Sequence, residues 1–293
     1  MKIRRLTPED AQIALDFLHE HRESSMFLLH NLTATRLVPP PGMYRCCWWG
    51  AFAGRSLSGV YAQTWRGTLL LQLPSPEVIA AVAEKLTTET LATEKRSSIP
   101  TLRGILGPRE QWLELNALWA HELPPPRLDQ DEPIYRLELN RLREVSLQAR
   151  GLTLRPATSA DVPLLTQWRI AFLIESLLLP ASRGLLRKAQ RDVLLATREQ
   201  RAWVLEDQGA PVAWCSFNAV FPGAVQLSSL YTPAHLRGRG YGQAVASSVL
   251  ALARAELKAE LATVIIQETH RPALACCEAL RFERCGRYSF TQW

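Results

Sequence analysis

The stretch Leu230-Tyr231-Thr232-Pro233-Ala234-His235-Leu236-Arg237-Gly238-Arg239-Gly240-Tyr241-Gly242-Gln243 decides how this chain is read. It starts as a strand, and Pro233 ends the ladder because proline has no N–H to donate. Arg-Gly-Arg-Gly-Tyr-Gly then opens directly into a helical pattern over 240–257, with Val245, Val249, Leu252 and Leu257 as its apolar positions. Glycine admits positive φ and lets a ligand approach the main chain closely. Amides at a helix start lack intrahelical acceptors and converge on one point, with the positive end of the helix dipole behind them. The combination fits a diphosphate cradle, and Arg237 and Arg239 add charge for phosphate oxygens. The plainer alternative is a tight strand-to-helix turn that needs glycine for steric reasons. The spacing Gly238-x-Gly240-x-Gly242 is not the G-x-G-x-x-G dinucleotide fingerprint, and no Gly-Lys-Ser/Thr follows as in a nucleotide P-loop.

Working outward, the second half reads as alternating strands and helices. Val162, Leu165, Trp168, Ile170 and Phe172 mark a helix, and 184–200 is a basic amphipathic one. Strands are expected at 202–206 and 212–218 around the turn Asp207-Gln208-Gly209, then at 224–232, 262–267 and 282–290, with a helix at 272–280. The first half gives a similar order. Helices carry Leu15 and Leu18, then Phe27–Leu29. Strands follow at 44–53, 56–63 and 68–73, a helix at 76–85, a strand at 102–106, a helix at 109–119 and a strand at 134–139. Both halves open alike, Ile3-Arg-Arg-Leu-Thr-Pro-Glu-Asp10 against Leu154-Arg-Pro-Ala-Thr-Ser-Ala-Asp161, an offset of 151 residues. Thr7 and Thr158 suit N-caps whose hydroxyls accept from first-turn amides, with Asp10 and Asp161 in that turn. These matches point to a duplicated α/β or α+β fold. The domains are expected at 1–145 and 151–293, with a boundary region at 140–151.

Composition agrees. The chain has 293 residues, and at about 150 per domain that is two domains. No run approaches the roughly 18 apolar residues of a membrane span, and the start Met1-Lys2-Ile3-Arg4-Arg5 lacks a secretory pattern. Six cysteines occur with no Cys-x-x-Cys, so zinc ligation has no local support. Most of them read as buried small hydrophobes in a cytoplasmic protein. Residues 1–150 hold 18 Lys/Arg against 17 Asp/Glu, whereas 151–293 hold 16 against 11. The anionic ligand is therefore expected in the second half. A basic stretch with Arg183, Arg187, Lys188, Arg191 and Arg198 allows a nucleic-acid reading, but aromatic interleaving is poor and the net excess is small.

Arg237-Gly238-Arg239-Gly240-Tyr241-Gly242 resembles the Q/R-x-x-G-x-G/A signature of the GNAT superfamily of acyl-CoA N-acyltransferases, and Leu230–Pro233 resembles the strand end before it. The resemblance covers about 154–293. The first half is similar to the same fold without the signature, since Gly104-Ile105-Leu106-Gly107-Pro108 is no substitute. What this implies is a tandem of two GNAT-like domains, each a mixed, mostly antiparallel sheet flanked by helices, with the N-terminal half degenerate. It further implies acetyl-CoA or another acyl-CoA as co-substrate, with no metal. The amides of Arg237, Gly238, Arg239, Gly240, Tyr241, Gly242 and Gln243 would hold the diphosphate. The backbone from Leu230 through Tyr231 to Thr232 would hold the pantetheine arm, and the Leu230 amide would polarise the thioester carbonyl. The implied acceptor is the amine of a small molecule, not nucleic acid or a membrane. A pseudo-dimer within one chain makes a monomer reasonable, with a homodimer as the other state.

The pattern also breaks. Anchored on Phe282, the family's Asn falls on His270, its general-acid Tyr on Cys277 and its Gly on Arg281. Cys277 is either a replacement proton donor or a buried hydrophobe. His270 is a helix cap, a cofactor contact or an exposed residue, and Tyr241 and Tyr288 are the other phenols. Glu175 and Glu268 are the candidate general bases, each otherwise a solvated carboxylate. Trp168, Phe172 and Trp214 shape the acceptor pocket or pack the core. The missing Tyr leaves open a non-catalytic acyl-CoA-binding regulator.

Overall fold

The computed structural model describes residues 1–38, 46–92, 102–119, 123–177 and 181–293. The chain divides into two compact units, 1–134 with 285–293, and 135–284.

In the first unit the order is β1 (Lys2–Arg5), α1 (Ala11–Glu20), α2 (Met26–Thr35), β2 (Cys46–Ala53), β3 (Ser56–Thr64), β4 (Thr68–Gln72), α3 (Pro76–Ala92), β5 (Gly104–Pro108) and α4 (Arg109–Trp119). The strand β6 (Leu128–Glu138) runs from this unit into the second. In the second, β7 (Leu152–Pro156), α5 (Val162–Leu177), α6 (Arg183–Arg198), β8 (Ala202–Asp207), β9 (Ala210–Phe221), β10 (Ala224–Tyr231), α7 (Tyr241–Glu256), β11 (Leu261–Ile265) and α8 (Arg271–Leu280) precede β12 (Glu283–Gln292). Most expected elements fall within two or three residues of these. Tyr44 and Arg45 of the expected 44–53 strand lie outside the described residues.

The two units repeat one topology. β1–β2, β2–β3 and β3–β4 pair antiparallel and β4–β5 parallel. β7–β8, β8–β9 and β9–β10 pair antiparallel and β10–β11 parallel. Both sheets are thus mixed and mostly antiparallel. The opening motif is repeated to the atom. Arg4 grips Asp10 through two nitrogens at 2.7 Å each, and Arg155 grips Asp161 at 2.7 and 2.8 Å. In each case the threonine amide and hydroxyl donate to that carboxylate, at 2.9 and 3.1 Å for Thr7 and 2.8 and 2.9 Å for Thr158. Thr7 and Thr158 are thus the N-caps expected, each in a capping box with its aspartate, and each hydroxyl also donates to that carboxylate.

Strand alternation gives the second unit its two buried faces. Val204 and Trp214 join Leu165, Val193 and Tyr231 beneath α5 and α6. Their neighbours Leu205, Ala213 and Cys215 join Val225, Val245, Val249 and Leu250 beneath α7. The basic helix α6 buries Leu185, Ala189, Val193 and Ala196, and Ser182 Oγ caps it by accepting from the Leu185 amide at 3.1 Å. Leu137, Leu139 and Leu142 belong to the α7 core, so residues expected to be the end of the first domain and a linker pack within the second unit. The last strand goes the other way: Tyr288–Gln292 pairs antiparallel with Gly104–Pro108 of the first unit.

Candidate functional site

The site grows from the end of β10. Its parallel ladder with β11 runs from Ala224↔Leu261 to Gln226↔Thr263, whereas its antiparallel ladder with β9 continues to Tyr231↔Trp214. Beyond Gln226 the two strands part and leave a notch open to main-chain pairing. Between Ser228↔Ser216 and Tyr231↔Trp214, two residues of β10 oppose one of β9, a bulge with Ser229 at φ 53°. Arg169 Nη1 donates to Ser229 Oγ at 2.9 Å and Nη2 to Asp192 Oδ2 at 3.1 Å, which ties the bulge to α5 and α6. Leu230 sits in this bulge, half-buried.

Nine residues, 232–240, separate β10 from α7. Gly238 and Gly240 take left-handed φ of 79° and 75°. Ala244 makes the first helical hydrogen bond, its amide donating to Gly240 O at 3.0 Å. The amides of Gly238, Arg239, Gly240, Tyr241, Gly242 and Gln243 have no acceptor among the described residues. The Arg237 amide, expected in the same set, instead donates to Ala234 O at 3.3 Å, because a 3-10 turn spans Ala234–Leu236.

The carbonyls of the loop are held from behind by a residue that sequence reading missed. Arg150 donates to Arg239 O at 2.5 Å and Gly240 O at 3.2 Å, and its guanidinium lies 5.9 Å from the Tyr241 ring. Tyr241 is buried and its hydroxyl donates to Asp207 Oδ2 at 2.5 Å. In the trans peptides whose carbonyls are pinned, the Gly240 and Tyr241 N–H groups point away from Arg150. No local motif marks Arg150, which lies 87 residues before Arg237.

Arg237 Nε donates to Thr232 O at 2.9 Å and Nη2 to Glu175 Oε2 at 2.5 Å. Glu175 Oε1 accepts from the Tyr231 hydroxyl at 3.2 Å. Burial, with the adjoining Glu175 carboxylate, raises the Tyr231 phenol above its ordinary range. Glu175, Tyr231, Thr232 and Arg237 thus form one cluster at the strand end.

Among the other sequence candidates, Trp168 packs against Tyr231 with ring centroids 6.3 Å apart and Phe172 packs on the same core, whereas the polar ones are engaged elsewhere. Glu268 is exposed and pairs with Arg284 at 3.3 Å. Cys277 lies in the α7 core, and burial pushes its thiol well above the usual range. A thiol that holds its proton so tightly is a poor donor to a leaving thiolate. His270 is the N-cap of α8: Nδ1 accepts from the Ala273 amide at 3.1 Å, which leaves Nε2–H to donate to Ser176 Oγ at 3.1 Å. Arg281 adopts φ 74° after α8, the left-handed conformation for which glycine is better suited. Tyr288 is buried beside Phe27 and Phe290 in the first unit, and Trp214 is core. Among the described residues no group of His, Cys, Asp and Glu could hold a metal ion, and no helix is long and apolar enough to cross a membrane.

The matching turn of the first unit is closed. Only three residues, 73–75, join β4 to α3. Pro74 and Pro76 have no N–H, the Leu73 amide donates to Gln111 Oε1 at 2.6 Å, and the Val78 amide donates to Ser75 Oγ at 3.4 Å.

Residues 151–283 match the model of the acetyltransferase (GNAT) domain family. The second unit is therefore a GNAT acetyltransferase domain, and the chain as a whole has the fold of tandem GNAT proteins. A solved Drosophila protein is 15% identical, with 99% of this chain and 98% of that one covered at a TM-score of 0.68. A tandem GNAT protein of the clavulanic acid biosynthesis pathway is 13% identical over 100% and 98% of the two chains, with a TM-score of 0.57. A GCN5-related N-acetyltransferase from Sphaerobacter thermophilus is 12% identical over 100% and 95%, with a TM-score of 0.58. No curated protein sequence matches the chain significantly. The domain family indicates acyl-CoA-dependent acetyl transfer in general.

Proposed function

We propose that this protein is an N-acyltransferase that moves an acetyl group from acetyl-CoA to the amine of a small molecule by direct attack. The observation that carries this reading is the row of six acceptor-free amides, Gly238–Gln243, at the start of α7 beside the β10–β11 notch. Such a row suits a diphosphate, and the glycine backbone leaves space for one: a Cβ on Gly238 would meet nothing within 4 Å. Bound acyl-CoA supplies an activated thioester carbonyl and a thiol leaving group. The amides of Gly238–Gln243 hold the diphosphate, and the backbone of Leu230 and Thr232 pairs with the pantetheine arm. The Leu230 amide donates to the carbonyl oxygen as negative charge develops there. Glu175 is the carboxylate of the cluster and takes the proton of the attacking amine. A thiol of pKa ~8.5 leaves readily as thiolate, so a dedicated acid is not required. The protein acts as a monomer or homodimer in the cytoplasm, in keeping with six cysteines of which none is in a disulfide, and engages neither nucleic acid nor membrane.

Burial of Cys277 at the place of the family's general acid favours a second reading, a regulator that binds acyl-CoA without turnover. Calorimetry with CoA and a thiol-release assay over an amine panel separate the two. Binding with turnover supports the transferase, tight binding without turnover supports the regulator, and no binding at millimolar CoA removes both.

A further inference from the structure

Two of the three guanidinium nitrogens of Arg237 are engaged at the strand end in this structure. Its Nε is given to Thr232 O at 2.9 Å, its Nη2 to Glu175 Oε2 at 2.5 Å, and its guanidinium lies 5.4 Å from the Tyr231 ring centroid. The acceptors are both groups that the proposed reaction needs, the strand-end carbonyl and the carboxylate. Each hydrogen bond occupies an oxygen that the incoming amine or the pantetheine arm would otherwise use. The pair is partly exposed, at 44% for Arg237 and 41% for Glu175, so solvent screens it and little energy holds it together. A diphosphate carries more negative charge than Glu175 and sits against six amides as well.

Building on the function proposed above, we infer that Glu175 is the general base and that Arg237 cages it until a diphosphate occupies the neighbouring loop. The guanidinium then turns from Glu175 and Thr232 to the phosphate oxygens. The Thr232 carbonyl becomes free for the pantetheine arm, and Glu175 keeps only the Tyr231 hydrogen bond. In the step that follows, the amine nitrogen attacks the carbonyl carbon. The C–N bond forms, the C–S bond breaks and CoA departs as thiolate. The surplus N–H proton passes to Glu175 and from there to solvent. Carrier binding thus precedes amine activation, and the same residue pair reads the diphosphate and arms the base.

Titration calorimetry with CoA at low salt tests this on the full chain, using Glu175→Gln, Arg237→Met and the double variant. Removing the charge of Glu175 releases Arg237, so E175Q tightens CoA binding about twofold to fivefold, the range of a screened surface pair. In the Arg237→Met background the same change brings no gain, because Glu175 acts through Arg237. Unchanged or weaker binding by E175Q overturns the inference, and so does an equal gain in both backgrounds. In those outcomes CoA still binds the wild type and the transferase reading stands. A wild type that does not bind CoA removes that reading and this one together.

Discussion

The three glycines of the α7 loop differ in what each must do, and that difference predicts a graded series. Gly240 has φ 75°, and a Cβ there would lie 3.2 Å from Arg150 Nη1 and 3.5 Å from Nη2. Gly240→Ala therefore carries two penalties. A left-handed alanine costs about 1 kcal/mol. Displacing Arg150 from two exposed carbonyls costs about 1 kcal/mol more after screening. The free variant relaxes away from the native loop shape, and CoA binding has to restore it. About 2 kcal/mol then appears as a roughly 30-fold weaker Kd. Gly238 has φ 79° but open space around it, so Gly238→Ala pays only the backbone penalty, about fivefold. A Cβ on Gly242 would make an ordinary 3.7 Å contact with Thr232 Oγ1, at a φ that any residue adopts, so Gly242→Ala stays within about twofold of wild type. Titration calorimetry gives the three constants, and thermal melts confirm that each variant is folded. CoA binding by Gly240→Ala equal to wild type, or a Gly242→Ala defect as large as that of Gly240→Ala, would refute the assignment of this loop.

Arg150→Met removes both carbonyl anchors, so CoA affinity falls about threefold to fivefold in calorimetry while the melting temperature changes little. Asp161 is held at about 2, chiefly by Arg155 and further by Thr158, against an unfolded value near 3.9. Its lowered pKa contributes about 1–2 kcal/mol, present above pH ~4 and lost as pH falls through ~2. Asp161→Asn thus melts earlier at pH 7, and its difference from wild type closes in melts run at progressively lower pH. Cys277→Ala removes a core sulfur, lowers stability by about 1 kcal/mol in denaturant titration, and leaves the pH profile of thiol release unchanged.

The parts of the molecule written in local chemistry were legible. Proline, arginines and glycines placed the loop at the start of α7, and the threonine–aspartate pairs revealed the duplication at an offset of 151. Tertiary relations were not. The bulge at Ser229 has no glycine to announce it, and nothing near Arg150 signals that it reaches a loop 90 residues later. Leu137, Leu139 and Leu142 look like a domain end followed by a linker, yet all three are buried in the core of the second unit. Likewise, the apolar alternation of β12 says that it pairs, but not that its partner is β5. Glu175 and Glu268 were equivalent candidates by type. Only the fold sets one against Tyr231 and Arg237 and the other against an exposed arginine.

The short turn after β4, with its prolines and with Gln111 sealing the Leu73 amide, predicts a stoichiometry for CoA binding. At most the amides of Ser75 and Glu77 stay open there, too few to rival the six of the later module. Titration should therefore saturate at one equivalent per polypeptide, with a single hyperbola and no interaction between repeats, despite a gene product built twice from one plan.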